Sequence, residues 1–402
     1  MRTVARGIAI ALAVALAACG GASSTGTTTS NSYQGKTIQL GAILSLTGAG
    51  GVYGPSSQKG MDLAVEKINN SGGVNGAKIA LDTKDDASDR PQSAQVAQTL
   101  IQQGQLLALL GPTLSNSAVA VHPLAESFKI PILAVSTTGI HIVPDCNFPT
   151  KTDPCRYVFR DSLGEESAIP ANIKVYSDAH HPKTGVLMVA NDDKFSKDGG
   201  TIVTNTVGQY GIQLLATIPF PKATADFAPP VTQAVQKNPD VIFITSLGNI
   251  PSNIMREARK QGFTGQFLGG NGFNTAKVSK AAAADGKGAQ SGSAWYINNT
   301  FTSNAGFVSA YRAKYSADPD QFAAQGYAAI LILADAAKRA NLTFSDTPGD
   351  RTKLRDAMET VNIDTPLGKF QFTSTHDVKQ TIWVIQMDGN GGFTLVSQVK
   401  PS

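Results

Sequence analysis

Thr37-Ile38-Gln39-Leu40-Gly41-Ala42-Ile43-Leu44-Ser45-Leu46, followed after a short connection by the segment 57–69, decides the fold. The first stretch is a nearly continuous apolar run, the pattern of a strand buried on both faces. In the second, Met61, Val65 and Ile68 fall on one face of a helix. The alternation repeats with a strand at 78–83 and a helix opened by Ser88, Asp89 and Pro91, a capping residue followed by proline in the first turn. Two more apolar strands, 106–110 and 130–135, are separated by a helical segment at 117–128. Four strands with helices between them imply a parallel, doubly wound sheet.

Beyond residue 160 the alternation restarts. Helix 168–179 precedes strand 185–190, helix 198–210 precedes 213–218, and helix 227–237 precedes the apolar strand 241–245. Helix 252–261 and strand 266–268 follow. Two such sheets exceed what one layer usually carries, so the expectation is two α/β lobes. The remaining pieces, a strand-like 293–297, helices at 305–315 and 321–341, and a late strand at 380–387 ending in Asp388-Gly389-Asn390-Gly391, must join one lobe or the other. The chain therefore crosses between lobes more than once, and hinged lobes close around ligands.

The N-terminus reports where the chain works. Arg2 and Arg6 lead a short apolar run that ends in Leu16-Ala17-Ala18-Cys19, the layout of an export signal. It resembles the bacterial lipoprotein signal, which implies that Cys19 is lipidated and becomes the new N-terminus. Residues 7–18 are too few to span a bilayer as a mature helix. The Gly-, Ser- and Thr-rich segment that follows reads as a flexible tether. The expected division is 1–18 signal peptide, 19–36 lipidated cysteine and tether, 37–160 with 292–367 as one lobe, and 161–291 with 368–402 as the other.

About 370 residues after the tether are ample for two cores. The formal net charge is +4, and without Arg2 and Arg6 it falls to +2; no basic block elsewhere recommends a nucleic-acid partner. Of three cysteines, Cys146 and Cys155 remain as an even pair in an exported chain, bracketing a polar, Pro-containing segment, and are expected to form a disulfide.

Gly41-Ala42-Ile43-Leu44-Ser45-Leu46-Thr47-Gly48, Gly60-Met61-Asp62-Leu63-Ala64 with Ile68-Asn69, Gly72-Gly73-Val74-Asn75-Gly76, Asp85-Asp86, and Gly111-Pro112-Thr113 through Pro131-Ile132 together resemble the leucine/isoleucine/valine-binding proteins. The resemblance covers roughly residues 37–395. It implies the type I periplasmic binding protein fold, two doubly wound lobes joined by a multi-crossover hinge. It also implies a receptor that delivers a branched-chain amino acid or related carboxylate to an ABC permease; with the lipoprotein-like signal this receptor is expected to be exported and lipid-anchored, and no cofactor or metal is expected.

Carried over residue by residue, the resemblance implies that Tyr53, in the loop after the first strand, presents an aromatic ring to the ligand. Ser115 and Ser117 match the hydroxyl-rich helix start that holds the α-carboxylate, and Thr137 and Thr138 match the strand end that completes its contacts. A helix start supplies free N–H groups and a favourable dipole for an anion, and open α/β sheets bind ligands beyond the carboxyl ends of their strands. The second lobe departs from the pattern. Phe195 stands where amino-acid binders usually carry tyrosine, and Asn271 stands where they place an acidic residue against the ammonium group. An ammonium buried without a carboxylate is poorly compensated; Glu165, Asp192 or Asp193 are the available substitutes.

Plainer readings stand beside these. Ser115 and Ser117 can be helix caps, Thr137 and Thr138 strand-end turns, Tyr53 and Phe195 packing residues, and Asn271 a tight turn. Asp85 and Asp86 suit strand-end turns or the adjacent helix start better than catalysis. No G-x-S-x-G, H-E-x-x-H or P-loop occurs, Tyr53 interrupts any G-x-G-x-x-G after the first strand, and the five histidines, His122, His141, His180, His181 and His376, have no ligand spacing. An enzyme is not expected; a sensory ligand-binding module for a signalling partner is the alternative to an importer's receptor.

Overall fold

A computed structural model describes residues 32–143 and 156–400. Cys19, Cys146 and Cys155, on which the anchor and disulfide expectations rest, lie outside the described residues.

Five parallel strands build the first sheet: β1 (Thr37–Leu44), β2 (Lys78–Asp85), β3 (Ala108–Leu110), β4 (Ile132–Ala134) and β5 (Val158–Arg160), in the order β2-β1-β3-β4-β5. Between them run α1 (Gly54–Asn70), α2 (Arg90–Gln102) and α3 (Ser115–Ser127). The apolar continuity of β1 has the expected cause. Leu40, Ala42 and Leu44 enter one core while Ile43 enters a second on the opposite face. α2 starts as its sequence dictates, with the Asp89 carboxylate accepting from Gln92 N–H at 2.9 Å and Pro91 in the first turn.

The chain then crosses into α4 (Glu165–His180), β6 (Thr184–Ala190), α5 (Lys194–Val207), β7 (Gln213–Phe220), α6 (Ala228–Val235), β8 (Val241–Thr245), α7 (Ile250–Lys260), β9 (Gln266–Gly269), α8 (Ala276–Ala282) and β10 (Gln290–Ser293). A second crossing leads to α9 (Asn304–Tyr315), α10 (Gln321–Arg339), α11 (Thr347–Glu359) and the hairpin of β11 (Ile363–Thr365) with β12 (Gly368–Phe370). A third returns the chain as β13 (Ile382–Met387) and β14 (Phe393–Val399). The second sheet has the order β14-β13-β10-β9-β8-β6-β7, parallel from β7 to β10 and closed by antiparallel β13 and β14. Side chains again alternate between two cores, Val186, Met188, Ile242 and Ile244 on one face and Leu187, Val189, Val241 and Phe243 on the other.

The strand expected at 293–297 is displaced: the pairing residues are Gln290–Ser293, and Trp295 instead packs in the first core. Apolar residues drew the reading, whereas this strand is made of small polar ones. A Cβ on Gly292 would lie 2.6 Å from the Ala168 carbonyl of α4, which explains why the strand is small there.

The first and third crossings are fastened to each other. Arg160, at the first, is buried and its guanidinium is held by Asp377, at the third, and by Glu166 at the start of α4, at 2.5 and 2.6 Å. Gln380 Nε2 donates to the Asp161 carbonyl at 2.7 Å. Among the described residues no helix is long and apolar enough to cross a membrane.

Candidate functional site

In each sheet the strand order reverses between the first strand and its inner neighbour, β1/β3 in one and β6/β8 in the other. Chain ends leaving these strands diverge and leave a crevice. Here the two crevices face each other across a narrow cleft lined by Tyr53, Thr113, Leu114, Ser115, Ser136, Phe195, Leu247, Asn271 and Phe322.

Tyr53 ends the connection from β1 and reaches across the cleft. Its hydroxyl donates to the Gly272 carbonyl and accepts from Gly248 N–H, both at 3.0 Å, so one phenol ties the β1 loop to the ends of β8 and β9. The ring lies against Phe322 with centroids 4.8 Å apart. Burial pushes the phenol further above its ordinary range, so it acts as a neutral hydrogen-bonding group.

Ser115 opens α3. Leu114 at the N-cap has no side-chain oxygen for the first amides of the helix, which have no intrahelical acceptor. Ser115 Oγ accepts from Gly139 N–H at 3.1 Å and Thr113 Oγ1 accepts from Ser45 N–H at 2.9 Å, leaving both hydroxyl hydrogens to donate. Ser136 Oγ donates to the Thr113 carbonyl at 2.7 Å.

Four of the seven residues singled out in the sequence, Tyr53, Ser115, Phe195 and Asn271, thus line one cleft. The other three stand behind it. Ser117 Oγ and Ser93 Oγ are 2.7 Å apart, with Ser117 donating because the single Ser93 hydroxyl hydrogen is directed at the Asp86 carboxylate, so Ser117 belongs to the scaffold under the β1 and β2 ends. The Thr137 carbonyl accepts from Ser162, and Thr138 bonds Glu165 through both its carbonyl and its hydroxyl. Asp85 and Asp86 hold the turn after β2, accepting from Leu46 and Ala87 N–H and from Ser45 and Ser93 respectively.

None of the possible substitutes for an ammonium partner lines the cleft. Asp193 caps α5 by accepting from Ser196, and Asp192 accepts from Lys222 N–H on the surface. Glu165 is fully buried, its Oε1 accepting from Asn271 N–H at 2.7 Å while Oε2 has no hydrogen-bond partner among the described residues. Burial first, then the nearby Glu166 and Asp198 carboxylates, pushes Glu165 up to about 8. The lining carries hydroxyls, a carboxamide and three aromatic rings, and no charged side chain.

Sequence reasoning passed over Thr113, Leu114, Leu247 and Phe322 as contacts. The first three follow strand ends, which is the signal that could have found them. Phe322 had none, because the second residue of a helix some 280 residues beyond β1 is placed by tertiary packing alone.

At the rim the sheets are also clasped. Lys194 donates to the Ile140 carbonyl at 3.0 Å, Ile140 N–H donates to Asp198 at 3.1 Å, and Lys194 and Asp198 pair at 2.7 Å. Lys277 donates to the Gly51 carbonyl at 2.8 Å. The molecule is in a closed arrangement.

The family model described as periplasmic binding protein matches residues 37–392. The leucine-, isoleucine-, valine-, threonine- and alanine-binding protein of Pseudomonas aeruginosa is 22% identical over 346 residues, 85% of this chain and 87% of that protein. Among solved structures, the branched-chain amino acid transporter substrate binding protein LivJ of Streptococcus pneumoniae, in complex with isoleucine, aligns with a TM-score of 0.81 at 25% identity, covering 91% of this chain and all of that one. An ABC transporter solute binding protein of R. palustris in complex with benzoate aligns equally well, TM-score 0.81 at 20% identity, covering 91% and 97%. The chain belongs to the periplasmic binding protein family, in its leucine/isoleucine/valine-binding-protein-like branch, whose members bind solutes outside the cytoplasm and do not transform them.

Proposed function

We propose that this protein is the solute receptor of an ABC importer, closing its two lobes on a small apolar or aromatic carboxylate. The observation that carries the reading is the lining of the cleft: donors at the start of α3 on one side, three aromatic rings, and no carboxylate for an ammonium group. Relatives that bind isoleucine and benzoate bracket this chemistry. Branched-chain amino acids are the family's default, and Asn271 and the buried Glu165 argue for their deaminated or aromatic counterparts.

A thermal-shift panel of leucine, isoleucine, their 2-oxo acids, benzoate and small amides tests it. A ligand at a hundredfold excess over its Kd stabilises by about 2.7 kcal/mol, enough for a shift of several degrees. Carboxylates without an amine are expected to stabilise; response to amides alone, or to no carboxylate, would overturn the reading.

The lobes expected as 37–160 with 292–367 and 161–291 with 368–402 are proposed to exchange chain a few residues later than those bounds, where Ser293 leaves β10 and Phe372 leaves the first core. Lipidation at Cys19 and a Cys146–Cys155 disulfide complete the proposal; mass spectrometry of unreduced, exported protein should find a lipidated N-terminal cysteine and the linked pair, and free thiols at all three positions would refute both. A sensory role has one point in its favour, a chemotactic signal transduction substrate-binding protein of Halobacterium salinarum 25% identical over 363 residues. Loss of solute uptake on deletion of the gene would favour the importer; intact uptake with lost taxis would favour the sensor.

A further inference from the structure

Asn271 is the second sheet's polar group in the cleft, and its orientation is dictated by a residue outside the lining's polar contacts, Gln321. The inference rests on the carboxylate reading above and concerns the solute's second polar group.

Gln321 is the first residue of α10 and is buried. Its Oε1 accepts from the Ala294 backbone N–H at 3.1 Å, from Asn274 Nδ2 at 3.2 Å and from Ser293 Oγ at 2.6 Å. A backbone N–H can only donate, so this end of the carboxamide is the oxygen. Asn274 is fixed by the same logic. Its Nδ2 lies 2.8 Å from the Gly292 carbonyl, which can only accept, and its Oδ1 takes the Ser291 hydroxyl. Turning either amide over would set donor against donor or oxygen against oxygen inside a buried network.

With Oε1 committed, Gln321 Nε2 is the donor that Asn271 Oδ1 accepts. Asn271 is then left with its NH2 group, which has no hydrogen-bond partner among the described residues, on a residue that lines the cleft. The facing hydroxyls of Thr113 and Ser115 already accept from backbone amides and have donors to spare. Donors therefore converge on the solute from both sheets. An ammonium ion brings more donors to such a site, while a carbonyl oxygen supplies the acceptor it lacks.

We propose that Gln321 is a positioning residue that presents the Asn271 carboxamide nitrogen to the solute, so that the site selects carboxylates bearing a neutral acceptor oxygen, 2-oxo acids above all, over amino acids of the same shape.

The test compares isosteric pairs, 4-methyl-2-oxopentanoate with leucine and phenylpyruvate with phenylalanine, by titration calorimetry on wild-type protein, Gln321→Glu and Asn271→Asp. Gln321→Glu keeps an oxygen for Ala294 and puts a second oxygen against Asn271, which must turn over and leave Oδ1 in the cleft. The wild type should prefer the better-fitting oxo acid by about 100-fold, and Gln321→Glu should shrink or invert that ratio by about tenfold. Asn271→Asp, which keeps the Gln321 bond and exposes an acceptor directly, should move the ratio the same way and decides the matter if Gln321→Glu does not fold. Equal or better binding of the amino acid by the wild type, or an unchanged ratio in the folded variants, overturns the inference while leaving a carboxylate receptor intact. Binding of no carboxylate at all overturns that reading, and this inference with it.

Discussion

Glu165 is the residue in which burial and charge conflict most sharply. Its folded-state value near 8 lies above the ordinary 4.5, so between these limits the folded protein keeps a proton that the unfolded chain has released. Stability on this account is fully present below about pH 4.5, falls as pH rises, and levels off above about pH 8. His122, buried and pushed down to about 3 from an ordinary 6.5, works in the opposite sense, adding stability as pH rises from about 3 to 6.5. The two are separated by comparing melting temperatures of wild type and Glu165→Gln from pH 5 to 9. The variant should gain on the wild type steadily up to pH 8; parallel curves would mean that Glu165 is ionised in the folded state. At this scale much of the cleft lining was legible, because Tyr53, Ser115 and Asn271 follow strand ends, beyond which open α/β sheets leave crevices. It did not carry Glu165's direction or Gln321's role, which depend on buried contacts over 106 and 50 residues of chain.

The helices α1 and α10 show how an element positions the site. A Cβ on Gly60 would lie 2.0 Å from the Ala323 carbonyl, and one on Gly326 would lie 2.2 Å from the Ser57 carbonyl, so the two backbones touch. This contact sets where α10 delivers Gln321 and Phe322. Gly326→Ala should push the helices apart and destabilise the protein by about 1 to 3 kcal/mol in urea unfolding; a change within about 0.5 kcal/mol would show that the contact is slack. Long apolar strands and capped helices were legible from periodicity, as in β1, β6, β8 and α2. β5 escaped because three residues define no period. β10 was misplaced because its small polar residues pack under α4 and feed the Gln321 network. α11 begins Thr347-Pro348-Gly349, a loop signature, yet Asp346 caps it by accepting from Gly349 N–H at 3.1 Å. β14 escaped because it is an edge strand with Leu395 and Val396 turned to solvent, where no core enforces alternation.

For the molecule as a whole, doubly wound lobes follow from the alternation of strands and helices, and the hinge follows from having more segments than either sheet could use in one pass. The closed arrangement does not follow from sequence. It rests on contacts between distant loops, the Tyr53 hydroxyl on Gly248 and Gly272 and the Lys194–Asp198 pair on Ile140. Closure brings the start of α3 against the second lobe, and the central claim is that a carboxylate is held there. The most direct measurement is titration calorimetry of the tightest carboxylate on wild type and Ser115→Ala. Loss of a donor to a buried anion should weaken binding by about 1 to 3 kcal/mol, roughly 5- to 150-fold, measured at a temperature where the variant, which also leaves the Gly139 N–H without its acceptor, is fully folded. Unchanged affinity in Ser115→Ala would contradict the account, because the solute would then be held elsewhere.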